Sequence, residues 1–178
     1  MKARSIFYSL LISLGLSFGA AADPDDSSYR LSSDDEISIT VFNEPDMSIV
    51  KIKVSTNGSI SMPLLGQVTV KGLTVIELEK ELSNRLLNGY LKKPNVTVII
   101  TEYRPFYISG EVNSPGSYPY RKDLTIEKAD ALAGGFTERA SKSTITLVAE
   151  QATRNVTAAP LNNAVKPGDV ITVRESFF

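Results

Sequence analysis

The sequence predicts an α+β protein built from two small modules, a β-rich module with one helix followed by a module whose order of elements is compatible with a β-grasp-like unit. Three observations support this: short runs of alternating apolar and polar residues, two helical segments with capping residues, and a change of pattern near Tyr103. Alternation is typical of half-buried strands, whereas apolar residues spaced three and four apart indicate an amphipathic helix. We place the modules at residues 29–103 and 104–178.

The first residues have the layout of a secretory signal peptide. Lys2 and Arg4 precede an apolar run at residues 6–18, and small residues follow, with cleavage predicted between Ala22 and Asp23. The alternative is an uncleaved membrane anchor, but a spanning helix needs ~20 apolar residues, more than this run contains. The sequence therefore favours export and cleavage.

Removal of residues 1–22 leaves 156 residues and changes the formal net charge from −1 to −3. An acidic linker at residues 23–28 then precedes the first module. A chain of ~150 residues is long enough for one domain or two small ones. Mild acidity argues against nucleic-acid binding, which requires a clustered basic face.

Composition excludes several kinds of site, because the chain has no Cys, no His and no Trp. Zinc and redox-metal sites depend on Cys and His, and so do hydrolases with a His base or a thiol nucleophile. We expect no cofactor. Any catalysis would have to use Asp, Glu, Lys, Tyr or Ser.

The first module begins with alternating runs at residues 37–41 and 50–54, which predict two strands. Asn57-Gly58 then predicts a hairpin turn into a strand containing Ile60 and Met62, because both turn residues tolerate positive φ. Pro63 and Gly66 bracket a further turn, before another short strand at residues 68–70.

A helix is predicted to begin after Thr74, which forms a capping box with Glu77. It ends at Asn88-Gly89, and a strand follows at residues 96–101. One helical face carries Val75, Leu78, Leu82 and Leu86. The predicted order of the module is β-β-β-α-β.

The second module is predicted as β-β-α-β-β-β. A short helix is expected from Thr125 to Leu132, ended by Gly134-Gly135. Pro115-Gly116 is predicted to form a type II turn, in which Gly has positive φ. The strand-like runs lie at residues 106–108, 117–120, 144–148, 155–158 and 170–173.

In this order the segments resemble the outer-membrane polysaccharide export proteins of Gram-negative bacteria. The first module resembles their export domain, through Tyr29-Arg30-Leu31, Asp35 with residues 37–41, residues 57–66 and Gly72-Leu73-Thr74. The second resembles their soluble-ligand-binding β-grasp (SLBB) domain, through Gly110-Glu111-Val112 and residues 115–118, 131–137, 166–171 and 175–178.

The chain departs from the family pattern in two places. Ser32-Ser33-Asp34 replaces the usual Gly-Pro-Gly, so we expect that turn to differ. Longer relatives carry a lipidated Cys and a C-terminal pore helix, which this sequence lacks. The resemblance therefore implies a short member without lipid anchor or pore helix, located in the periplasm and peripherally associated with the outer membrane.

The resemblance also implies the partners. Several copies would form a ring around polysaccharide in transit, between an inner-membrane copolymerase and either a separate outer-membrane β-barrel or a longer paralogue. Two other functions stay open, a monomeric periplasmic module that binds or senses glycan, and a carboxylate-dependent hydrolase or lyase. The last lacks a separated acidic pair, because Asp34, Asp35 and Glu36 are adjacent; we assign them to a turn or a solvated edge.

Glycine, proline and asparagine residues of the motifs are predicted to serve the backbone rather than a ligand. They are Asn57, Gly58, Pro63, Gly66, Gly110, Pro115, Gly116, Gly134, Gly135, Pro167 and Gly168.

Aromatic residues cluster at the start of the second module, at Tyr103, Phe106, Tyr107, Tyr118 and Tyr120, with Arg104 and Arg121 beside them. Three interpretations remain: core residues, a protein interface, or stacking platforms for sugar rings. Tyr118 and Tyr120 should share one face of a strand. The candidate interface or glycan contacts are Tyr107, Tyr118, Tyr120, Arg121 and Phe178.

Overall fold

The computed structural model describes residues 28–150, 155–156 and 158–176. The predicted signal peptide, its cleavage position at Ala22 and Asp23, nearly all of the acidic linker, and Phe178 lie outside the described residues. Two separate hydrophobic cores are present, one formed by residues between Leu31 and Val98 and one by residues between Phe106 and Val173. The fold is therefore α+β with two modules, as the sequence predicts.

The first module contains five strands and one α-helix. An antiparallel sheet has the order β2-β1-β5, in which β1 is Glu36–Val41, β2 is Ile49–Lys53 and β5 is Val96–Glu102. A separate hairpin pairs β3 (Ser59–Met62) with β4 (Gly66–Thr69). A 3-10 turn at Pro45–Met47 connects β1 and β2.

Helix α1 (Val75–Leu87) covers the core of this module. Its buried side chains are Leu78, Leu82 and Leu86, the face predicted from the spacing. The capping box is formed in both directions: Thr74 Oγ1 accepts from the Glu77 N–H, and Glu77 Oε2 accepts from the Thr74 N–H at 2.9 Å. Because these contacts are local, the start of the helix could be predicted from the sequence.

The prediction of one hairpin around Asn57-Gly58 is wrong, and so is the predicted strand count. Four strands precede the helix, because the short strand predicted at residues 68–70 forms as β4 and pairs with β3 in a sheet of its own. The turn itself forms, with Gly58 at φ +78° and the Ser55 N–H donating to the Ser59 carbonyl at 3.0 Å. The flanking strands then separate, since β2 bonds to β1 and β3 bonds to β4.

The described residues of the second module form a five-stranded mixed sheet of order β7-β6-β10-β8-β9, with helix α2 (Ile126–Leu132) packed on it. Strands β6 and β10 are parallel neighbours at its centre, an arrangement compatible with the predicted β-grasp. The strands are β6 (Phe106–Gly110), β7 (Gly116–Tyr118), β8 (Ala140–Val148), β9 (Asn155–Val156) and β10 (Val170–Glu175).

The predicted type II turn at Pro115-Gly116 is wrong, because Gly116 is not among the glycines with positive φ. It begins β7 and pairs with Ile108. Gly110, the last residue of β6, does have positive φ, at +87°. A Cβ on Gly110 would clash with the Val173 carbonyl oxygen, so no larger residue fits where the end of β6 pairs with β10.

Within the described residues, no helix is long and apolar enough to cross a membrane.

Candidate functional site at the module junction

The structure separates the predicted aromatic residues into two environments. Tyr107 lies on the outer face of the β6–β10 sheet, is 46% exposed, and has Ser117 and Val170 as cross-strand neighbours. Tyr118 and Tyr120 are partly buried against the core of the second module. The candidate contacts therefore do not form one surface.

Tyr118 stacks on Phe106 with ring centroids 5.9 Å apart, and its hydroxyl donates to the Ser114 carbonyl at 2.6 Å. Tyr120 instead takes part in a chain of rings that crosses from one module to the other. Its ring meets Tyr103 edge-on at 5.5 Å, and Tyr103 meets Tyr29 edge-on at 4.9 Å.

A charge cluster, which we call the clasp (Tyr29, Asp35, Arg104 and Glu150), lies beside these rings; Asp35 and Arg104 are buried, Tyr29 is partly buried and Glu150 is exposed. The Arg104 backbone N–H donates to Asp35 Oδ1 at 2.8 Å, and its Nη1 donates to Asp35 Oδ2 at 3.2 Å. Asp35 also accepts from the Tyr29 hydroxyl at 2.8 Å and the Ser32 N–H at 2.7 Å. Its carboxylate is thus satisfied by four donor groups.

Arg104 joins the clasp to the second module. Its Nε lies 2.7 Å from Glu150 Oε2 without hydrogen-bond geometry, so this contact is an ion pair. Nη1 donates to the Tyr29 hydroxyl at 2.5 Å, and the guanidinium lies 5.6 Å from the centre of that ring. Because Arg104 is 7% exposed and Asp35 is 0% exposed, each charge depends on its partners for stability.

Burial of this region changes two pKa values. Burial, followed by the negative charge of Asp35, raises the pKa of the Tyr29 hydroxyl far above its usual value, so Tyr29 remains a hydrogen-bond donor at neutral pH. Burial also raises the pKa of Asp169, whose carboxylate accepts from the Lys166 N–H at 2.8 Å.

The assignment of Asp34, Asp35 and Glu36 to a turn or a solvated edge is correct only for Asp34. Asp34 is exposed in a turn at φ +70°, a conformation that favours glycine. Asp35 is buried in the clasp. Glu36 is also buried, with its Oε1 2.9 Å from both Lys51 Nζ and Thr101 Oγ1.

Gly168 lies directly against the clasp, as part of the turn into β10. It has φ +84°, and its N–H donates to the Pro105 carbonyl at 3.0 Å. A Cβ here would lie 2.5 Å from Glu150 Oε2 and 2.8 Å from Arg104 Nε. Besides allowing the turn, glycine therefore leaves room for the ion pair between Arg104 and Glu150.

Arg121, the remaining predicted contact within the described residues, is exposed and lines a concave surface of about 380 Å³. We call this surface the basic groove. Lys128 is held at it by a 2.7 Å hydrogen bond from its Nζ to the Asp123 carbonyl. The lining residues are Arg121, Lys122, Leu124, Lys128, Ala131 and Leu132.

Sequence reasoning missed both features. Asp35 and Arg104 are 69 positions apart in the sequence, and no short-range motif around either residue indicates that they pair. The groove had a weak signal, since Lys128, Ala131 and Leu132 share one face of a helix three and four residues apart. In the part of the chain that the structure describes, no cluster of three His, Cys, Asp or Glu residues could hold a metal ion.

Comparison with known families identifies the two modules. Residues 23–101 match the family described as polysaccharide biosynthesis/export protein, and residues 105–157 match the SLBB domain. The chain therefore matches both domains of the polysaccharide export proteins, in the order that the sequence motifs indicate.

The exopolysaccharide production protein ExoF of Rhizobium meliloti (strain 1021) is similar to this chain. The two are 34% identical over 139 residues, which is 72% of this chain and 32% of ExoF. The chain thus spans about a third of the length of that relative.

Proposed function

We propose that this protein is a periplasmic component of a polysaccharide export machine, in which several copies form a conduit. The conduit links an inner-membrane copolymerase to an outer-membrane β-barrel or to a longer relative. Membership of an export family and similarity to an exopolysaccharide production protein support this proposal. We propose no catalytic role.

The observation that carries the proposal is the clasp between the export domain and the SLBB domain. Subunits close into a ring only when each presents its contact surfaces at a constant angle. In this chain Arg104, at the proposed boundary, is bonded to Asp35 on one side and paired with Glu150 on the other. Two domains joined in this way suit a repeating unit better than domains on a loose tether do.

The first sheet offers a surface for contact between copies. Its β5 edge is protected, because Glu79 of α1 accepts from the Val98 N–H at 2.8 Å. At the other side of the sheet, the outer edge of β2 pairs with no strand in the described part of the chain, and Val50 on β2 is 88% exposed. An open edge with an exposed apolar residue is a site where another chain can add.

Light scattering of the purified chain across a concentration series tests the proposal, alone and with the periplasmic domain of the copolymerase. We expect a closed oligomer or a stable complex. Val50→Asp should weaken it, whereas Leu87→Asp, at an exposed position on α1, is the matched control. If the protein is a monomer at every concentration and forms no complex with the copolymerase domain, the conduit is contradicted. That result would favour the alternative, a monomeric glycan-binding module.

A further inference from the structure

The basic groove separates charges that are mixed in the sequence. Residues 121–132 contain three basic and three acidic side chains, but the lining includes the three basic ones and none of the acids. Asp130 is buried on another face of α2, and the exposed Asp123 and Glu127 are not among the lining residues. Arg121 and Lys128 therefore carry positive charge at the edge of a groove whose lining includes no acid, on a protein whose net charge is slightly negative.

The floor of the groove is apolar. Leu124 is buried and Ala131 and Leu132 are exposed, with Leu132 46% exposed. A volume of about 380 Å³ is at the lower end of the ~300–1,000 Å³ found for small-molecule sites. An apolar floor with a cationic rim is complementary to a ligand that has a C–H face and an anionic substituent, as a sugar carrying a carboxylate does.

The groove also lies on a rigid part of the molecule. Arg121 directly follows Tyr120, whose ring packs on Tyr103 at the module junction. Lys128 projects from α2, whose opposite face, with Ile126 and Ala129, is fully buried. The backbone that carries these two charged groups is therefore already ordered before a ligand binds, which lowers the entropic cost of binding.

We infer that the basic groove binds acidic sugar residues of the exported polysaccharide, with Arg121 and Lys128 pairing with carboxylates and Leu124 and Leu132 contacting the ring. This inference rests on the proposed export function and adds the chemical class of the polymer. Arg presents a planar pair of donors to a carboxylate, which gives geometric selection as well as charge. Because both charged contacts, Arg121 and Lys128, are exposed, binding at one groove is weak and allows the polymer to pass.

The test is calorimetric titration of the full chain with tri-galacturonic acid, compared with the same trisaccharide fully methyl-esterified, which keeps the rings and removes the charge. We expect the acid to bind at least several-fold more tightly, and its affinity to fall as salt is raised. Arg121→Gln and Lys128→Gln should each weaken binding by roughly three- to five-fold, as expected for exposed ion pairs.

Lys92→Gln and Lys93→Gln are matched controls, because both lysines are exposed and lie outside the groove. They should leave the affinity unchanged. Equal binding of acid and ester, no binding of the acid at millimolar concentration, or an equal loss in the controls would each overturn the inference.

Light scattering of the Arg121→Gln/Lys128→Gln double variant distinguishes this inference from the proposed function. We expect the double variant to assemble like the wild type while losing affinity for the acid. If the wild type fails to assemble, the conduit is wrong, whatever the titration shows. If assembly is normal but the acid does not bind, the groove inference alone is wrong.

Discussion

Arg104 and Arg121 are close in the sequence but occupy opposite environments. Arg104 is buried in the clasp, where a carboxylate, a hydroxyl and a second carboxylate surround it. Arg121 is exposed at the rim of a groove that contains no acid among its lining residues. The comparison shows that a buried charge must be paired within the protein and so stabilises the fold. An exposed charge beside an apolar surface can pair with a ligand instead.

The largest expected difference between the two regions comes from replacing each arginine with methionine. Arg104→Met leaves Asp35 buried without its ionic partner, and we expect a loss of about 3–5 kcal/mol in the free energy of unfolding. Arg121→Met, at an exposed position, should change it by less than about 0.5 kcal/mol. Urea unfolding followed by circular dichroism measures both, and equal losses would contradict the role of the clasp.

A smaller effect is expected when a methyl group is added beside the clasp. Gly168→Ala requires positive φ and displaces Glu150 or Arg104, so it should cost roughly 2–3 kcal/mol. Gly72→Ala is the control, because Gly72 has φ +85° with nothing within 4 Å of an added Cβ, and it should cost about 1 kcal/mol. Similar melting temperatures for the two variants would mean that Glu150 moves aside without loss.

Tyr29→Phe tests the clasp through pH. At neutral pH it removes a hydrogen bond to a buried carboxylate and should cost about 1.5–2 kcal/mol. The raised pKa of Tyr29 means that its contribution is fully present below the unfolded value of 10.0 and is lost as pH rises above it. The advantage of the wild type over Tyr29→Phe should therefore narrow in alkaline solution.

The control is Tyr107→Phe at its exposed position on the second sheet, which should change stability by less than about 0.5 kcal/mol at neutral pH. Denaturant titrations at several pH values from 7 to 11 give both differences. If the difference in the free energy of unfolding between wild type and Tyr29→Phe stays constant across that range, the role of the Tyr29 hydroxyl as a donor to Asp35 is contradicted.

The smallest effect concerns backbone strain beside each region. Asp34, next to the clasp, has φ +70°, and Asp123, next to the groove, has φ +59°. Replacing either with glycine removes the steric cost of this conformation and should stabilise the protein by about 0.5–1 kcal/mol. Thermal unfolding measures the gain. A gain at Asp123 with a loss at Asp34 would show that the Asp34 side chain supports the clasp.

Local features of the fold could be predicted from the sequence, whereas pairings could not. The capping box of α1 and its buried leucine face depend on neighbours within one or two turns, and both are as predicted. The Asn57-Gly58 turn forms, but which strands it joins depends on β1 and β4, which compete for β2 and β3. The predicted turn at Pro115-Gly116 does not form, because Gly116 begins β7, which pairs with β6.

The candidate site was predictable only in part, for the same reason. Clustering of aromatic residues and of Arg104 and Arg121 singled out the segment in which the structure places the ring contacts of the module junction and the basic groove. It could not distinguish the exposed Tyr107 from the packed Tyr118, because that depends on which face of the sheet α2 covers.

By itself the sequence determined the two-module α+β class, the helix limits that capping sets, and the order of motifs that identifies the export family. These are encoded in residue types and short spacings, which act over a few positions. Tertiary structure alone decided that Asp35 and Arg104 form a buried pair and that three cations line one groove. Such contacts join residues as much as 75 positions apart, and their energy arises only when folding removes water from both partners.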